Sequence, residues 1–195
     1  VVLKKQNDYQ IIILAENSNP NPAHVRGRLV CYNSDGSIAW ISDSTLSSLG
    51  GQISIADFNM DGISEVYKGN QIFNATNGIL LADGGNNGRG RGFLDCYSIA
   101  ADLDDDPNDL ELAAGYTVYK VKLTNLNGII NNQMIANNIQ VDAPHEGYYD
   151  GITAVVDINQ DGVLDVVVLN CSLSYANRNN FPFICPTVKM IVQQV

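Results

Sequence analysis

Two segments of the sequence place oxygen-bearing side chains at their first, third and fifth positions, a glycine at the sixth and an acid at the ninth. We call residues 57–65 loop one and residues 157–165 loop three. Alternate side-chain oxygens can wrap one side of a hard cation, and the glycine permits a sharp turn that directs the seventh carbonyl inward. Ca²⁺, which takes roughly 6–8 oxygen ligands, is the ion that this spacing indicates, and neither loop contains the Cys or His that softer metals favour. The predicted ligands are Asp57, Asn59, Asp61, Glu65 and the carbonyl of Ile63 in loop one, and Asp157, Asn159, Asp161, Asp165 and the carbonyl of Val163 in loop three.

A third acidic segment, residues 102–111 or loop two, departs from this pattern. Pro107 replaces the glycine, and the ninth position is Leu110. Alignment of the strand that follows implies one inserted residue, which gives Glu111 the ninth-position role and leaves Asp109 as the competing candidate. We therefore expect two to three Ca²⁺ ions in the chain. The ligands predicted at the first, third and fifth positions of loop two are Asp102, Asp104 and Asp106.

Two other interpretations of these loops compete with a metal site. Asp, Asn and Gly also build ordinary turns, but the recurrence of the pattern at matching places in three segments disfavours that interpretation. An EF-hand needs a bidentate Glu at its twelfth position, where this chain has Lys68 or Val168. The flanking residues are also β-branched and alternate in hydrophobicity, which predicts strands rather than helices.

The elements that hold these loops repeat along the chain. Each loop lies between two short apolar segments, and its first aspartate recurs at positions 57, 102 and 157, which gives spacings of 45 and 55 residues. One four-stranded propeller blade takes roughly 40–50 residues. Hairpins with Asn-Gly or Asp-Gly turns follow, at residues 29–40, 71–81 and, in a looser version, 118–130. The predicted unit is strand A, acidic loop, strand B, connection, strand C, turn and strand D.

We therefore predict an all-β fold of four-stranded antiparallel β-propeller blades, about three and a half of them, which form part of a larger ring. The composition agrees, because 17 of the 21 acids are Asp and Asn occurs 23 times, and both residues favour turns over helices. Residues 9–16 are predicted to be a strand B whose acidic loop would precede residue 1, and residues 187–192 a strand C without a strand D. The predicted units are 1–49, a partial blade with strands B to D; 50–91, with loop one; 92–147, with loop two; and 148–195, a partial blade with loop three.

The pattern Asp-x-Asn-x-Asp-Gly-x-x-Asp/Glu between two strands resembles the FG-GAP and VCBS-type repeats of integrin α-subunit propellers and of many bacterial surface proteins. Residues 56–85 are also similar to the large cell-surface adhesins of gliding Bacteroidetes, which are exported by type IX secretion. The resemblance implies an extracellular, non-catalytic, calcium-bearing propeller within a larger cell-surface protein. Two functions stay open: a structural or adhesive module of a secreted protein of that gliding-motility class, or a glycan-binding or glycan-processing propeller attached to a carbohydrate-active enzyme.

The negative charge of the chain is concentrated in the three loops. The net charge is −10, and the loops contain 12 of the 21 acids but no Lys or Arg. An acidic chain repels nucleic acid, and no apolar run reaches the roughly 18 residues of a membrane span. The motifs Gly-x-Ser-x-Gly and His-Glu-x-x-His and the phosphate loop are absent from the sequence. We therefore expect no enzyme, no nucleic-acid partner and no transmembrane segment.

The connections opposite the acidic loops contain all five arginines of the chain. Exposed connections are often simply polar, but a rigid scaffold also concentrates function on its loops. We therefore predict a partner-binding face for a glycan or protein ligand. The predicted partner-binding residues are Arg26, Arg28, Arg89, Arg91, Tyr148, Tyr149 and Arg178.

The four cysteines allow three full pairings. Cys171 and Cys185 flank the last connection between a strand B and a strand C, and we predict a disulfide between them. The alternative is that the cysteines are buried thiols.

Overall fold

The described part of the chain is all-β, as the sequence predicts, and contains antiparallel sheets without a helix. A computed structural model describes residues 2–5, 8–15, 27–46, 51–85, 97–104, 106–115, 117–123, 133–137, 152–171 and 188–194. Within these residues, each strand of a sheet pairs with its neighbour in the sequence, so every sheet is a simple meander. Antiparallel neighbours can be joined by tight turns, and Gly36 and Gly78 lie in two such turns with positive φ values.

Four sheets follow one another along the described chain, and we number them in that order. Three have four strands and the fourth has three. The first sheet contains β1 (Val2–Lys5), β2 (Asp8–Ala15), β3 (Arg28–Asn33) and β4 (Ile38–Ile41), and the second contains β5 (Ser54–Ala56), β6 (Glu65–Lys68), β7 (Gln71–Asn74) and β8 (Leu80–Asp83). The third contains β9 (Ile99–Ala101), β10 (Glu111–Ala114), β11 (Thr117–Lys120) and β12 (Gln133–Asn137), and the fourth contains β13 (Ile152–Val156), β14 (Asp165–Cys171) and β15 (Val188–Gln194).

Two strands differ from the sequence prediction. The first sheet has a fourth strand, β1, which pairs in register from Val2 opposite Ile11 to Lys5 opposite Asp8. β1 ends at Lys5 and β2 begins at Asp8, so a paired strand precedes this strand B directly, and the prediction of an acidic loop before residue 1 as its lead-in is wrong. In the third sheet, β12 begins at Gln133, whereas the predicted hairpin ended at residue 130. Each of these strands is short and lacks regular apolar alternation, so the sequence signal for it is weak.

The turn between β7 and β8 illustrates how the hairpins are closed. Gly78 has a φ of 75°, and its N–H donates to the carbonyl of Asn74 at 2.8 Å. A Cβ at this position would lie 2.5 Å from Cε3 of Trp40. The indole Nε1 of Trp40 in turn donates to the carbonyl of Ala75 at 3.1 Å. The glycine is therefore required both for the left-handed turn and for the docking of the first sheet on the second.

Three apolar clusters join successive sheets face to face. In β6, Val66 packs toward the first sheet while Tyr67 packs toward the third, and in β10, Leu112 and Ala113 divide in the same way between the second and fourth sheets. The second and third sheets are therefore buried on both faces, which explains why β6, β8 and β10 are buried at every position. The clusters are built around Ile12, Trp40, Val66 and Phe73; around Phe58, Tyr67, Leu112 and Tyr119; and around Leu103, Val118, Val166 and Val168.

The outer faces of the first and fourth sheets carry exposed apolar side chains. On β2, Tyr9, Ile11 and Ile13 alternate with buried positions, and on β13 the exposed large apolar residues are Ile152 and Val156. No apolar cluster of the described residues joins the fourth sheet to the first. The described sheets therefore form a consecutive stack in which both ends present apolar surface.

Candidate metal centres

The side chain of the first aspartate of loop one holds the loop by accepting hydrogen bonds from backbone N–H groups later in the loop. Asp57 Oδ1 accepts the N–H of Asp61 at 3.1 Å, and its Oδ2 accepts the N–H of Gly62 at 2.8 Å. In loop three, Asp157 makes the same two contacts at 3.1 and 2.9 Å. The two carboxylates therefore hold equivalent turns, at identical offsets in the sequence.

The third and fifth positions also agree between these two loops. Asn59 Nδ2 donates to Asp61 Oδ2 at 2.8 Å, and Asp61 Oδ1 accepts the N–H of Ile63 at 2.7 Å. The equivalent distances in loop three are 2.9 and 2.9 Å. Met60 and Gln160, at the fourth position, have φ values of 53° and 61°, in the left-handed region that non-glycine residues rarely adopt. Carboxylate oxygens with two lone pairs each can accept these hydrogen bonds and still face a cation.

The ninth-position acid ties each loop to the start of its strand B. Glu65 Oε2 accepts the N–H of Phe58 at 3.0 Å, and Asp165 Oδ2 accepts the N–H of Ile158 at 3.0 Å. In loop two the corresponding bond runs from the N–H of Leu103 to Glu111 Oε2, at 2.9 Å. Glu111, rather than Asp109, is therefore the structural equivalent of Glu65 and Asp165, and one residue is inserted before it.

Loop two brings three carboxylates together. One oxygen each from Asp102, Asp104 and Glu111 lies within 4.8 Å of the others, an arrangement that could hold a metal ion. Glu111 is fully buried, and its Oε1 and the buried Oδ1 of Asp102 have no hydrogen-bond partner. Burying a carboxylate oxygen without a partner costs free energy of folding. A cation that binds oxygen ligands would provide the missing partner. Across the described ranges, loop two is where three acidic side chains converge this closely, because its third position is an aspartate rather than an asparagine.

A lysine that is not among the predicted ligands reaches loop two from β11. Lys120 Nζ lies 2.7 Å from Asp104 Oδ2 and 3.5 Å from Asp109 Oδ2, and Asp106 Oδ2 is at 4.0 Å. The hydrogen bond to Asp104 and the charges of Asp109 and Asp104 raise the pKa of Lys120 above its ordinary value. This contact depends on the pairing register of β10 and β11, which places Lys120 opposite Glu111. That register is not readable before the strands are aligned.

The ninth-position glutamates are electrostatically disfavoured in their charged form. Burial raises the pKa of Glu65 to about 7, and the charges of Asp61 and Asp57 add to this effect, while the N–H of Phe58 opposes it. Burial likewise raises the pKa of Glu111, with Asp104 contributing. A cation in either loop would favour the charged carboxylates and lower these pKa values.

Comparison with known proteins leaves the loops as the basis for any functional argument. No protein-family model, no curated protein and no solved structure matches this chain. The geometry of the loops and the packing of the sheets are therefore the evidence for a function.

The pKa of Glu65 predicts how the stability of the metal-free protein depends on pH. Because the folded-state pKa of about 7 exceeds the ordinary value of 4.5, the folded state binds this proton more tightly than the unfolded state does. The contribution of Glu65 to the free energy of unfolding is therefore fully present below pH 4.5 and declines as the pH rises toward 7. Thermal melts in chelator between pH 4.5 and 8 should show a smaller decline for Glu65→Gln than for the wild type. An identical pH dependence in both proteins would contradict this prediction.

Of the seven predicted partner-binding residues, Arg28 is the one that lies within the described residues. Its Nη1 donates to the carbonyls of Ser42 and Asp43, at 2.7 and 3.3 Å, so the half-buried guanidinium braces its own chain. It also lines an open, polar cleft with Gln71 and Asp83 of the second sheet. The binding face, and the glycan alternative with it, stays a prediction, because its other residues lie outside the described ranges: Arg26, Arg89, Arg91, Tyr148, Tyr149 and Arg178.

The cysteine prediction also falls partly outside the described residues. Cys171 is the last residue of β14, and Cys185 is not described, so their disulfide stays a prediction. Cys31 is a buried thiol in the cluster between the first and second sheets. No helix within the described ranges is long and apolar enough to cross a membrane.

Proposed function

We propose that this chain is a non-catalytic, calcium-stabilised β-propeller module of a secreted cell-surface protein, with a structural or adhesive role. The observation that carries the proposal is the recurrence of one loop design in three consecutive sheets. In each, the ninth-position acid binds the N–H of the loop's second residue, at 2.9–3.0 Å. A turn that served only to reverse the chain would not need a buried acid at this position in all three of these sheets.

Calcium fits the donor set better than other common metals. The donors are carboxylate and amide oxygens together with main-chain carbonyls, and Ca²⁺ accepts 6–8 such ligands in flexible geometry, whereas Mg²⁺ demands a near-ideal octahedron. In loop two, the unpartnered oxygens of Asp102 and Glu111 are where such an ion would bind. Extracellular calcium modules operate with Kd values of about 10⁻⁴–10⁻³ M, which suits an exposed loop on a secreted protein.

Bound calcium would stabilise the contact between successive sheets. The second residue of loop one, Phe58, is buried between the second and third sheets, and that of loop two, Leu103, between the third and fourth. A backbone bond from the N–H of Leu110 to the carbonyl of Phe58, at 2.9 Å, also joins loop two to loop one. A cation that neutralises the crowded carboxylates therefore stabilises the loop, and with it the buried positions of Phe58 and Leu103.

The packing of the sheets supports a propeller assignment. Successive antiparallel meanders bury both faces of each inner sheet, as blades do. The apolar outer faces, with Tyr9, Ile11 and Ile13 at one end and Ile152 and Val156 at the other, are the surfaces on which further blades would pack. The remainder of a larger propeller or surface protein is therefore the proposed partner.

A calcium titration of the purified chain tests the proposal. Asp57→Ala and Asp157→Ala should each remove one bound Ca²⁺ in isothermal titration calorimetry, because each first-position carboxylate both organises its turn and faces the ion. Asp35→Ala is the matched control, since Asp35 accepts hydrogen bonds from Ser37 in a hairpin turn outside the loops. Absence of calcium binding by the wild type, or an equal loss of sites in the control, would refute the proposal.

A further inference from the structure

The position that faces the ninth-position acid across strands B and C differs between the three units. In the second sheet Asn74 lies opposite Glu65, and in the fourth sheet Gln194 lies opposite Asp165. In the third sheet the same position is Lys120, opposite Glu111. The units of loop one and loop three therefore carry a neutral amide where the unit of loop two carries a cation.

The contacts of the two described side chains follow this difference. Asn74 Oδ1 accepts the N–H of Thr76 at 2.8 Å and its hydroxyl at 2.6 Å, so this amide serves its own hairpin turn. Lys120 instead places its ammonium 2.7 Å from Asp104 Oδ2, among the acids of loop two. Lys120 of β11 thus places a positive charge of the chain itself beside the acids of loop two.

The ammonium does not satisfy the whole of loop two. Glu111 is fully buried with Oε1 unpartnered, and Asp102 Oδ1 is also buried without a partner. Both residues belong to the group of carboxylates that converges within 4.8 Å, and the third member is Asp104, the residue that Lys120 contacts. Asp104 is therefore shared between the lysine and the place where a metal ion would bind.

We propose that Lys120 is an internal cation that competes with Ca²⁺ for Asp104, so that loop two is the weak calcium site of the chain. The inference rests on the proposed calcium function of the loops. A Ca²⁺ ion binds a carboxylate oxygen at about 2.4 Å, so an ion on the oxygen that Lys120 contacts would lie within about 5 Å of Nζ. Like charges at that distance repel strongly, and the ammonium must leave before the ion binds.

Substitution of Lys120 by the residues found at the equivalent positions tests the inference. In calorimetric titrations with CaCl₂, the wild type should show two tight sites and a third that is weaker by about tenfold or more. Lys120→Asn and Lys120→Gln should bring the third site into the tight class. Lys122→Asn, which removes the same charge from an exposed position two residues farther along, should leave the third site weak.

Thermal melts without and with calcium provide a second readout, because the substitution should have different effects in the two conditions. In chelator, Lys120→Asn should melt below the wild type, because Asp104 and Asp109 lose their counter-charge. In saturating calcium the variant should gain more stability than the wild type gains. A lysine that served only as a structural ion pair would lower the melting temperature by the same amount in both conditions.

Two further outcomes decide the assignment. Adding Asp102→Asn to Lys120→Asn should remove the gained site and no other, which places that site in loop two. Unchanged affinities in Lys120→Asn, or an equal gain in Lys122→Asn, would overturn the inference while leaving calcium binding by loop one and loop three intact. Absence of calcium binding in every protein would instead refute the proposed function, and the inference with it.

Discussion

Removal of calcium is expected to lower the melting temperature of this chain by about 10–20 °C. An ion present at a hundred times its Kd stabilises the folded state by about 2.7 kcal/mol, so two occupied loops contribute about 5 kcal/mol. In a chain of 195 residues, each kcal/mol shifts the melting temperature by about 2–4 °C. The physical source of the effect is the burial of the ninth-position acids, to which the neighbouring carboxylates add, and together they raise the pKa of Glu65 and of Glu111 when no ion is present.

Differential scanning calorimetry with calcium, with EDTA, and with EDTA followed by excess calcium measures this effect. Recovery of the melting temperature in the third sample shows that the loss is reversible and due to the ion. Magnesium at the same concentration is the control for ionic strength and should restore little. Equal melting temperatures in calcium and in EDTA would remove the basis for a structural role of the metal.

Phe58→Ala is expected to destabilise the chain by about 3–5 kcal/mol, the usual cost of removing a buried aromatic ring. Phe58 is 1% exposed, and its ring meets that of Tyr67 edge to face, with centroids 5.3 Å apart. Its N–H also donates to Glu65 Oε2, and its carbonyl accepts the N–H of Leu110 in loop two. The variant therefore loses core packing at the joint between the second and third sheets.

Ile158→Ala is the matched control for this prediction. Ile158 occupies the same second position in loop three, with the same bond from its N–H to the ninth-position acid, but it is 45% exposed. Its truncation should change the free energy of unfolding by about 0.5 kcal/mol or less. Urea unfolding of both variants in calcium measures the difference. A cost for Ile158→Ala as large as that for Phe58→Ala would mean that burial at this position is not what stabilises the loop.

The loops were the most predictable part of the molecule. Asp57 and Asp157 make the same bonds to the residues four and five positions later, because Asp-x-Asn-x-Asp-Gly encodes its geometry locally. The left-handed glycines of the hairpins, such as Gly36 and Gly78, were readable for the same reason. The equivalence of Glu111 with Glu65 also followed from aligning the strands that come after each loop.

Features that depend on the pairing of particular strands were not predicted. β1 has only four residues, and its place at the edge of the first sheet follows from its pairing with β2. Lys120 meets Asp104 because β10 and β11 set its register opposite Glu111. By contrast, Asp102, Asp104 and Glu111 are ligands that the sequence predicts for loop two, and these three carboxylates converge.

The single tryptophan of the chain gives the contact between the first and second sheets its own optical signal. Trp40 belongs to the first sheet, donates to the carbonyl of Ala75 in the second unit, and packs over Gly78. Among the described residues, the apolar cluster around this contact contains none from an acidic loop. Its fluorescence therefore reports whether the first two sheets remain docked, independently of whether a loop has lost its ion, and it does so without an added label.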